Sequence, residues 1–457
     1  MIFMTEKFRQ FMLFIGDTLL LYAALYIGLS LRYQRFIGAE VWDKNWPTFS
    51  VIFAIWLIIF YIAGFYTLTN IRNDLKFYIT GSQTIAIGAL VAVAFFYATP
   101  TAAIAPKTIL LLTTLAFLVL WLAWRRLAHR SISSLALKRR VLMIGDNKTV
   151  EELTNLFDHN PQLGYEMAVI LPHNPKDAIG NLPDYRNPDE LENIIKKYRI
   201  STIVMDNQGR ASKDLINNLF HYLPLRLEFI SLDQFYETIT KRISIETIDQ
   251  FWFLENFQEG KKRLYDTGKR AIDILVGILA GLLAILLIPP ISLLILATTG
   301  RPVFFTQIRL GKNGRPFRAI KFRTMVKDAE KNGPQWAIKN DIRVTKLGRL
   351  LRLTRFDEIP QLFNIIKGEM SFVGPRPERP EFVANLEKII PFYRERLLVK
   401  PGLTGWDQIS GEYHSASRED SLKKLQYDLY YIKNRSLILD IAIILRTIKT
   451  VLSAVGR

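Results

Sequence analysis

Four apolar runs fill most of the first 124 residues: 11–31, 49–66, 81–97 and 108–124. A bilayer-spanning helix needs about 20 mostly apolar residues. Each run therefore predicts a span, and the chain must fold partly in lipid. The first run contains Asp17. Its expected use is a helix–helix hydrogen bond, since no second charge lies within the runs to pair with it. That run is also too long for a removed signal peptide and lacks a small-residue cleavage site.

Orientation follows from Lys and Arg. Arg125, Arg126, Arg130, Lys138, Arg139 and Arg140 follow the fourth run, and such a cluster stays cytoplasmic. An even number of spans then puts the N-terminus, with Lys7 and Arg9, on the same side. Arg32, Arg35 and Lys44 oppose this reading, but more sparsely.

Charge divides the 457 residues into three modules. The net is +9 over 1–140, −8 over 141–260 and +17 over 261–457, within a total of +18. An excess of this size predicts anionic partners: lipid headgroups, phosphorylated substrates or nucleic acid. Nucleic acid is set aside, because it explains neither the membrane runs nor the carboxylate pair described below. There are no cysteines, which excludes disulfides, iron–sulfur clusters and cysteine-based zinc sites. The five histidines (His129, His159, His173, His221 and His414) show no metal-ligand spacing.

In the acidic middle module, apolar runs at 140–145, 166–171, 200–205 and 225–230 alternate with helical patterns near 149–158, 189–198 and 213–222. The alternation predicts a doubly wound, Rossmann-like α/β domain. Its first turn is Gly145-Asp146-Asn147, and no G-x-G occurs anywhere. The dinucleotide fingerprint is therefore missing, and Asp146 would repel a pyrophosphate. A structural or regulatory role is the expectation for this domain.

A fifth apolar segment, 272–297, is long enough to cross. Pro289-Pro290 interrupts it, and basic residues flank both ends: Lys261, Lys262, Arg263, Lys269 and Arg270 before, Arg301, Arg309, Lys312, Arg315 and Arg318 after. Proline removes a helical hydrogen bond and clashes with the preceding turn. Both flanks prefer the cytoplasm. The expectation is a reentrant helix, bent or broken at Pro289 and Pro290, that enters and leaves by one leaflet; the alternative is a simple fifth span that puts the last module outside. Residues 436–455, rich in Leu and Ile with Asp440, Arg446 and Lys449, read as an interfacial amphipathic helix. The basic last module should then rest on the inner leaflet.

Absences narrow the chemistry. There is no D-x-D and no G-x-x-x-x-G-K-[ST] phosphate loop. One Y-x-x-x-K, Tyr265 to Lys269, reads as a chance match to short-chain dehydrogenases, having no glycine fingerprint upstream. What remains is a dense patch. Lys321-Phe322-Arg323-Thr324-Met325 follows a strand-like stretch. Arg349, Arg352 and Arg355 lead into Asp357-Glu358-Ile359-Pro360. Gly374-Pro375-Arg376-Pro377-Glu378 forms a rigid turn, and Pro401-Gly402-Leu403-Thr404-Gly405-Trp406 closes the series. Pro360 suits the first turn of a helix, which puts both carboxylates near a helix N-terminus, where the dipole favours their ionised form. An ionised Asp among arginines can attack phosphorus, and an adjacent Glu can hold Mg²⁺. Planar guanidinium groups suit a diphosphate. Ordinary acidic N-capping and lipid-headgroup contact are the plainer uses of the same residues.

Together the run 321–325, the stretch 352–364, the string 370–377 and the motif 401–406 resemble the bacterial sugar transferase family, the polyprenol-phosphate hexose-1-phosphate transferases or monotopic phosphoglycosyl transferases. The match covers about 261–457. The four-span start and Rossmann-like middle resemble the family's long form. The resemblance implies three domains: four spans over 1–130, a Rossmann-like cytoplasmic domain over 131–258, and an α/β-type catalytic domain over 259–457 with its reentrant helix at 272–297. It implies Asp357 as nucleophile and Glu358 as Mg²⁺ ligand. It implies Lys321, Arg323, Arg352 and Arg376, with Pro375 and Pro377 around the last, as phosphate and nucleotide contacts. The implied reaction moves a hexose-1-phosphate from a UDP-sugar to undecaprenyl phosphate at the bacterial inner membrane, releases UMP through an aspartyl-phosphosugar intermediate, and begins an exopolysaccharide, capsule or O-antigen. A homodimer is an analogy only. The alternatives are a membrane-anchored nucleotide-sugar dehydratase or reductase using the middle domain, and an inactive scaffold or regulator.

Overall fold

The computed structural model describes residues 6–67, 74–99, 107–133, 138–172, 188–225, 227–257, 259–329, 333, 341–410 and 417–452. His173, His414 and residues 453–455 of the C-terminal segment lie outside them. The chain divides into two units, Met1–Leu232 and Asp233–Arg457.

The first unit opens with four long helices: α1 (Glu6–Tyr33), α2 (Ala39–Ala63), α3 (Leu75–Ala98) and α4 (Lys107–Ser133). All four are long and apolar enough to cross a membrane. Glycines let large rings approach: Gly81 sits against Trp121, and Gly88 against Trp56, whose indole N–H donates to the Gly88 carbonyl at 2.7 Å. Asp17 has a partner that the apolar runs hide. Arg125 lies just past the fourth run, but α4 continues eight residues beyond it. Its guanidinium reaches Asp17 at 2.5 Å, with both side chains fully buried. Arg125 also donates to the Phe65 carbonyl at 3.1 Å. The expected helix–helix hydrogen bond is thus present, but its partner is a charge, which was not expected.

After α4 come β1 (Arg139–Ile144), α5 (Lys148–His159), β2 (Tyr165–Leu171), α6 (Pro188–Tyr198), β3 (Thr202–Met205), α7 (Asn207–Ala211), α8 (Lys213–Phe220) and β4 (Glu228–Ser231). The strands form one parallel sheet in the order β2-β1-β3-β4. Leu142, Ile144, Ile203 and Met205 pack there against Leu191, Ile195, Leu215 and Leu219. Arg9 of α1 donates to the Leu163 carbonyl at 3.0 Å and joins the bundle to this α/β region. Gly164 adopts a left-handed φ of +77°, and a Cβ there would overlap the Arg9 guanidinium.

The second unit gathers α9 (Leu232–Thr240), α10 (Gln250–Asn256), α11 (Arg263–Thr299), β5 (Phe304–Leu310), β6 (Pro316–Phe322), α12 (Lys346–Leu353), α13 (Leu362–Lys367), β7 (Ser371–Val373), α14 (Pro380–Leu386), β8 (Gly402–Thr404), α15 (Arg418–Asn434) and α16 (Leu437–Leu452). Ile243, Ile245 and Trp252 share its main core with Val373, Val383, Leu425, Leu429 and Ile443.

α11 is also long and apolar enough to cross a membrane. It runs as one helix through Pro289 and Pro290, so the expected break into two helices is not there. Each proline removes one backbone hydrogen bond, but its fixed φ of about −65° is itself helical. Ser292 donates back to the Ile288 carbonyl at 2.7 Å beside the pair. Asp273, Gly277, Ala284, Ile291 and Ile295 form the buried stripe of α11, while Leu275, Leu282, Leu283, Leu286 and Leu293 are exposed.

Both ends of α11 are tied to this unit. At its start, Lys269 and Tyr265 reach Asp440 of α16 at 2.7 and 2.9 Å, and Arg270 donates to the Ile365 and Ile366 carbonyls at 2.7 Å each. The Tyr265–Lys269 spacing puts both side chains on one helical face toward Asp440. At its end, Arg323 donates to the carbonyls of Thr299 and Gly300 at 2.5 Å each. The C-terminal segment is helical as expected. Asp440 is buried, and Ile438 and Ile441 are exposed.

Candidate active site

Asp357 and Glu358 sit in the first turn of a 3₁₀ helix, Phe356–Gln361, that runs directly into α13. Pro360 lies inside that turn. Arg355, just before it, has a left-handed φ of 59°, a sparsely populated conformation for a residue with a Cβ. The reversal folds the acidic turn against β6. Asn364 holds the two elements together: its amide donates to the Arg318 carbonyl at 2.8 Å, and its Oδ1 accepts the Ile320 N–H at 3.2 Å.

Both carboxylates are 5% exposed. Glu358 Oε1 accepts from Lys321 Nζ at 2.7 Å and from Arg376 Nη2 at 2.9 Å. Arg355 Nη1 lies 3.9 Å from Oε2. Arg352 donates through Nε to Thr324 Oγ1 at 2.9 Å. Asp357 acts electrostatically on Lys321, Arg352, Arg355 and Arg376 alike. Four cations thus surround two acids, a net of about +2 if all are ionised. The side chains of Lys321, Arg355 and Arg376 are 26%, 29% and 34% exposed. An incoming anion therefore meets the cations before the buried carboxylates.

Burial raises the Glu358 pKa, but Lys321, Arg376 and Arg355 overcome it and hold the carboxyl well below the usual carboxylate range. Burial pulls the Lys321 ammonium below 10.5, against the pull of Glu358. Glu358 pushes the Arg376 guanidinium up. Glu358 is thus a fixed anion, and its neighbours are preorganised cations.

The Pro375-Arg376-Pro377 string is held by its carbonyls. Pro375 O accepts from Gly402 N at 2.9 Å, Arg376 O from Arg396 Nη2 at 3.0 Å, and Pro377 O from Arg309 Nη1 at 3.1 Å. The 401–406 motif explains itself here. β8 pairs in parallel with β7, the strand that feeds the string, and a Cβ on Gly402 would overlap Gly374. Trp406 donates its indole N–H to the Lys241 carbonyl at 3.0 Å.

Lys321, Arg352 and Arg376 thus gather around Asp357-Glu358. Arg323 is placed elsewhere: it is 7% exposed and is drawn to the C-terminal carbonyls of α11, where a cation complements the helix dipole. In this structure its Nη2 makes a capping contact with those carbonyls. Three participants had no role assigned from the sequence: Arg355 beside the dyad and Glu378 beneath the string, which were named only as part of the patch, and Arg396, which was not named. Glu378 is buried and pairs with Lys424, with Arg309 and Arg396 each 3.7 Å away. The left-handed Arg355 has no local sequence signal, and the acidic partners of Arg396 lie 18 and 32 residues away, one on each side.

A family model described as bacterial sugar transferase matches residues 264–454, the stretch that holds this site. An N-acetylgalactosaminephosphotransferase of Aeromonas hydrophila that uses undecaprenyl phosphate is 41% identical over 235 residues, covering 49% of this chain and 52% of that protein. A UDP-glucose:undecaprenyl-phosphate glucose-1-phosphate transferase of Xanthomonas campestris pv. campestris is 34% identical over 328 residues, covering 69% and 66%. A putative undecaprenyl-phosphate N-acetylgalactosaminyl 1-phosphate transferase of Bacillus subtilis (strain 168) is 42% identical over 159 residues, covering 35% of this chain and 86% of that protein. The matched stretch thus spans about half to two thirds of the first two relatives. The chain belongs to the bacterial sugar transferase family.

Proposed function

We propose that the protein transfers a sugar-1-phosphate from a UDP-sugar to undecaprenyl phosphate. The observation that carries this reading is the buried Asp357-Glu358 pair ringed by Lys321, Arg352, Arg355 and Arg376. Relatives named as undecaprenyl-phosphate sugar phosphotransferases support it.

In the first step an Asp357 carboxylate oxygen attacks the phosphorus that bears the sugar. The bond from that phosphorus to the bridging oxygen breaks, and UMP leaves. Lys321 and Arg376 sit where they can hold the non-bridging oxygens as charge builds. In the second step a phosphate oxygen of undecaprenyl phosphate attacks the acyl phosphate. Asp357 is released as a carboxylate, and the product is the lipid diphosphate-sugar. Two displacements replace one difficult transfer.

Magnesium suits this site as a guest of the substrate. No cluster of three or more His, Asp or Glu able to cage an ion occurs among the described residues. Glu358 Oε1 is committed to two cations, whereas among the described residues Oε2 meets Arg355 alone, at 3.9 Å. A single carboxylate oxygen plus diphosphate oxygens and water is an ordinary Mg²⁺ environment. Glu358 would hold the ion, which would neutralise diphosphate charge.

The middle region serves as a Rossmann-like cytoplasmic domain without nicotinamide, and α11 as a reentrant helix at the inner membrane. Ties from Lys269 and Arg270 at one end and Arg323 at the other, all to the same unit, favour a helix with both ends on one side. The purified protein in lipid nanodiscs tests the chemistry. Asp357→Asn should abolish turnover, and near wild-type activity in that variant would overturn the assignment.

A further inference from the structure

Proline locks φ near −65° and has no N–H. In Pro375-Arg376-Pro377, the conformation left open at Arg376 is set largely by the two peptide planes on either side of its Cα. A hydrogen bond to a carbonyl fixes the plane that carries it. The plane before Arg376 is fixed by Gly402 N on Pro375 O, and the plane after it by Arg396 Nη2 on Arg376 O.

We propose that Arg396 is a positioning residue, which sets the backbone plane of Arg376 and so aims its guanidinium at Glu358 and at the diphosphate. The diphosphate part rests on the function proposed above.

Arg396 is built for this use. It is 3% exposed. Nη2 donates to Arg376 O at 3.0 Å and forms an ion pair with Asp428 Oδ2 of α15, 2.7 Å away. Nη1 donates to Tyr393 Oη at 2.8 Å and lies 3.7 Å from Glu378 Oε1. The guanidinium also lies over the Tyr393 ring, 5.2 Å from its centroid. With its charge answered by Asp428 and Glu378, the side chain has one orientation, and the Arg376 carbonyl takes its direction from it. Arg376 meets Glu358 through a single 2.9 Å contact, so a small rotation of its backbone moves the guanidinium off the acid. Misplacing a reacting group by about 1 Å can cost on the order of 100-fold in rate.

A double-variant cycle in nanodiscs separates positioning from general support. The donor kcat and KM would be measured for wild type, Arg396→Lys, Arg376→Lys and the pair, with thermal unfolding of each. Arg396→Lys should lower kcat/KM by about 10- to 100-fold. On the Arg376→Lys background it should cost less than about threefold, because effects through a shared partner do not add. Equal losses in both backgrounds would overturn the proposal and leave Arg396 a packing residue. If Arg396→Lys does not fold, Asp428→Asn loosens the Arg396 anchor without touching Arg376, and the same background dependence is expected. Wild-type activity of Arg376→Lys alone would overturn the reading of Arg376 as a diphosphate contact, and the positioning role with it.

Discussion

Lys321 Nζ and Glu358 Oε1 meet at 2.7 Å, joining the end of β6 to the acidic turn. The pair is the electrostatic hinge of the site. Glu358 keeps Lys321 charged against its burial, and Lys321 helps keep Glu358 ionised.

Lys321 should therefore set the alkaline side of the pH profile. Burial lowers its pKa from 10.5, so its charge is lost at a lower pH than that of an ordinary lysine. Donor kcat/KM should fall as pH rises toward 10.5, and Lys321→Arg should move that fall upward, because a guanidinium stays protonated. Lys321→Met should lose on the order of 100-fold at neutral pH, as for an electrostatic donor at a reacting phosphate. An alkaline limb unchanged in Lys321→Arg would remove Lys321 from this role.

Glu378 should mark the acid side of stability. Burial raises its pKa, yet Lys424 and Arg396 bring it down to about 2, against an ordinary 4.5. A folded-state value below the unfolded one stabilises above pH 4.5, and that contribution fades as pH falls toward 2. The shift corresponds to roughly 3 kcal/mol. Glu378→Gln should melt several degrees lower at pH 7 and lose less of its remaining stability between pH 5 and 3 than wild type does. Coincident melting curves for the two proteins at pH 7 would contradict this.

The buried pair Asp17–Arg125 makes a prediction for the helical bundle. Asp17→Asn leaves the Arg125 charge buried without its counter-charge, which costs roughly 3–5 kcal/mol. Replacing both, as Asp17→Leu with Arg125→Met, should recover most of that loss, because the stranded charge is gone. Thermal unfolding in nanodiscs reads both. A double variant less stable than Asp17→Asn would show that the Arg125 contact with the Phe65 carbonyl matters more than the pair.

How much of this was legible beforehand follows from the range of each interaction. The four long helices, the parallel strands and the helices between them came from local periodicity, which the chain itself repeats every few residues. The gathering of Lys321, Arg352 and Arg376 was legible as a density of charge near two carboxylates. Three features were not. Arg125 lies outside the apolar run, so only the extension of α4 to Ser133 reveals it as a partner for Asp17. Arg323 sits two residues from Lys321 and looks equivalent to it, yet it serves the end of α11. Pro289-Pro290 reads as a break, but proline's own φ permits the helix to continue. Each was decided by a tertiary contact or a backbone compatibility that local pattern does not encode.

The most direct test of the account is the nucleotide released. Purified protein in a native-like membrane would receive a panel of UDP-sugars, undecaprenyl phosphate and Mg²⁺, with the released nucleotide separated and identified. The account predicts UMP, dependent on one sugar and absent in Asp357→Asn. Release of UDP would mean glycosyl rather than phosphosugar transfer and would contradict Asp357 as the attacking group.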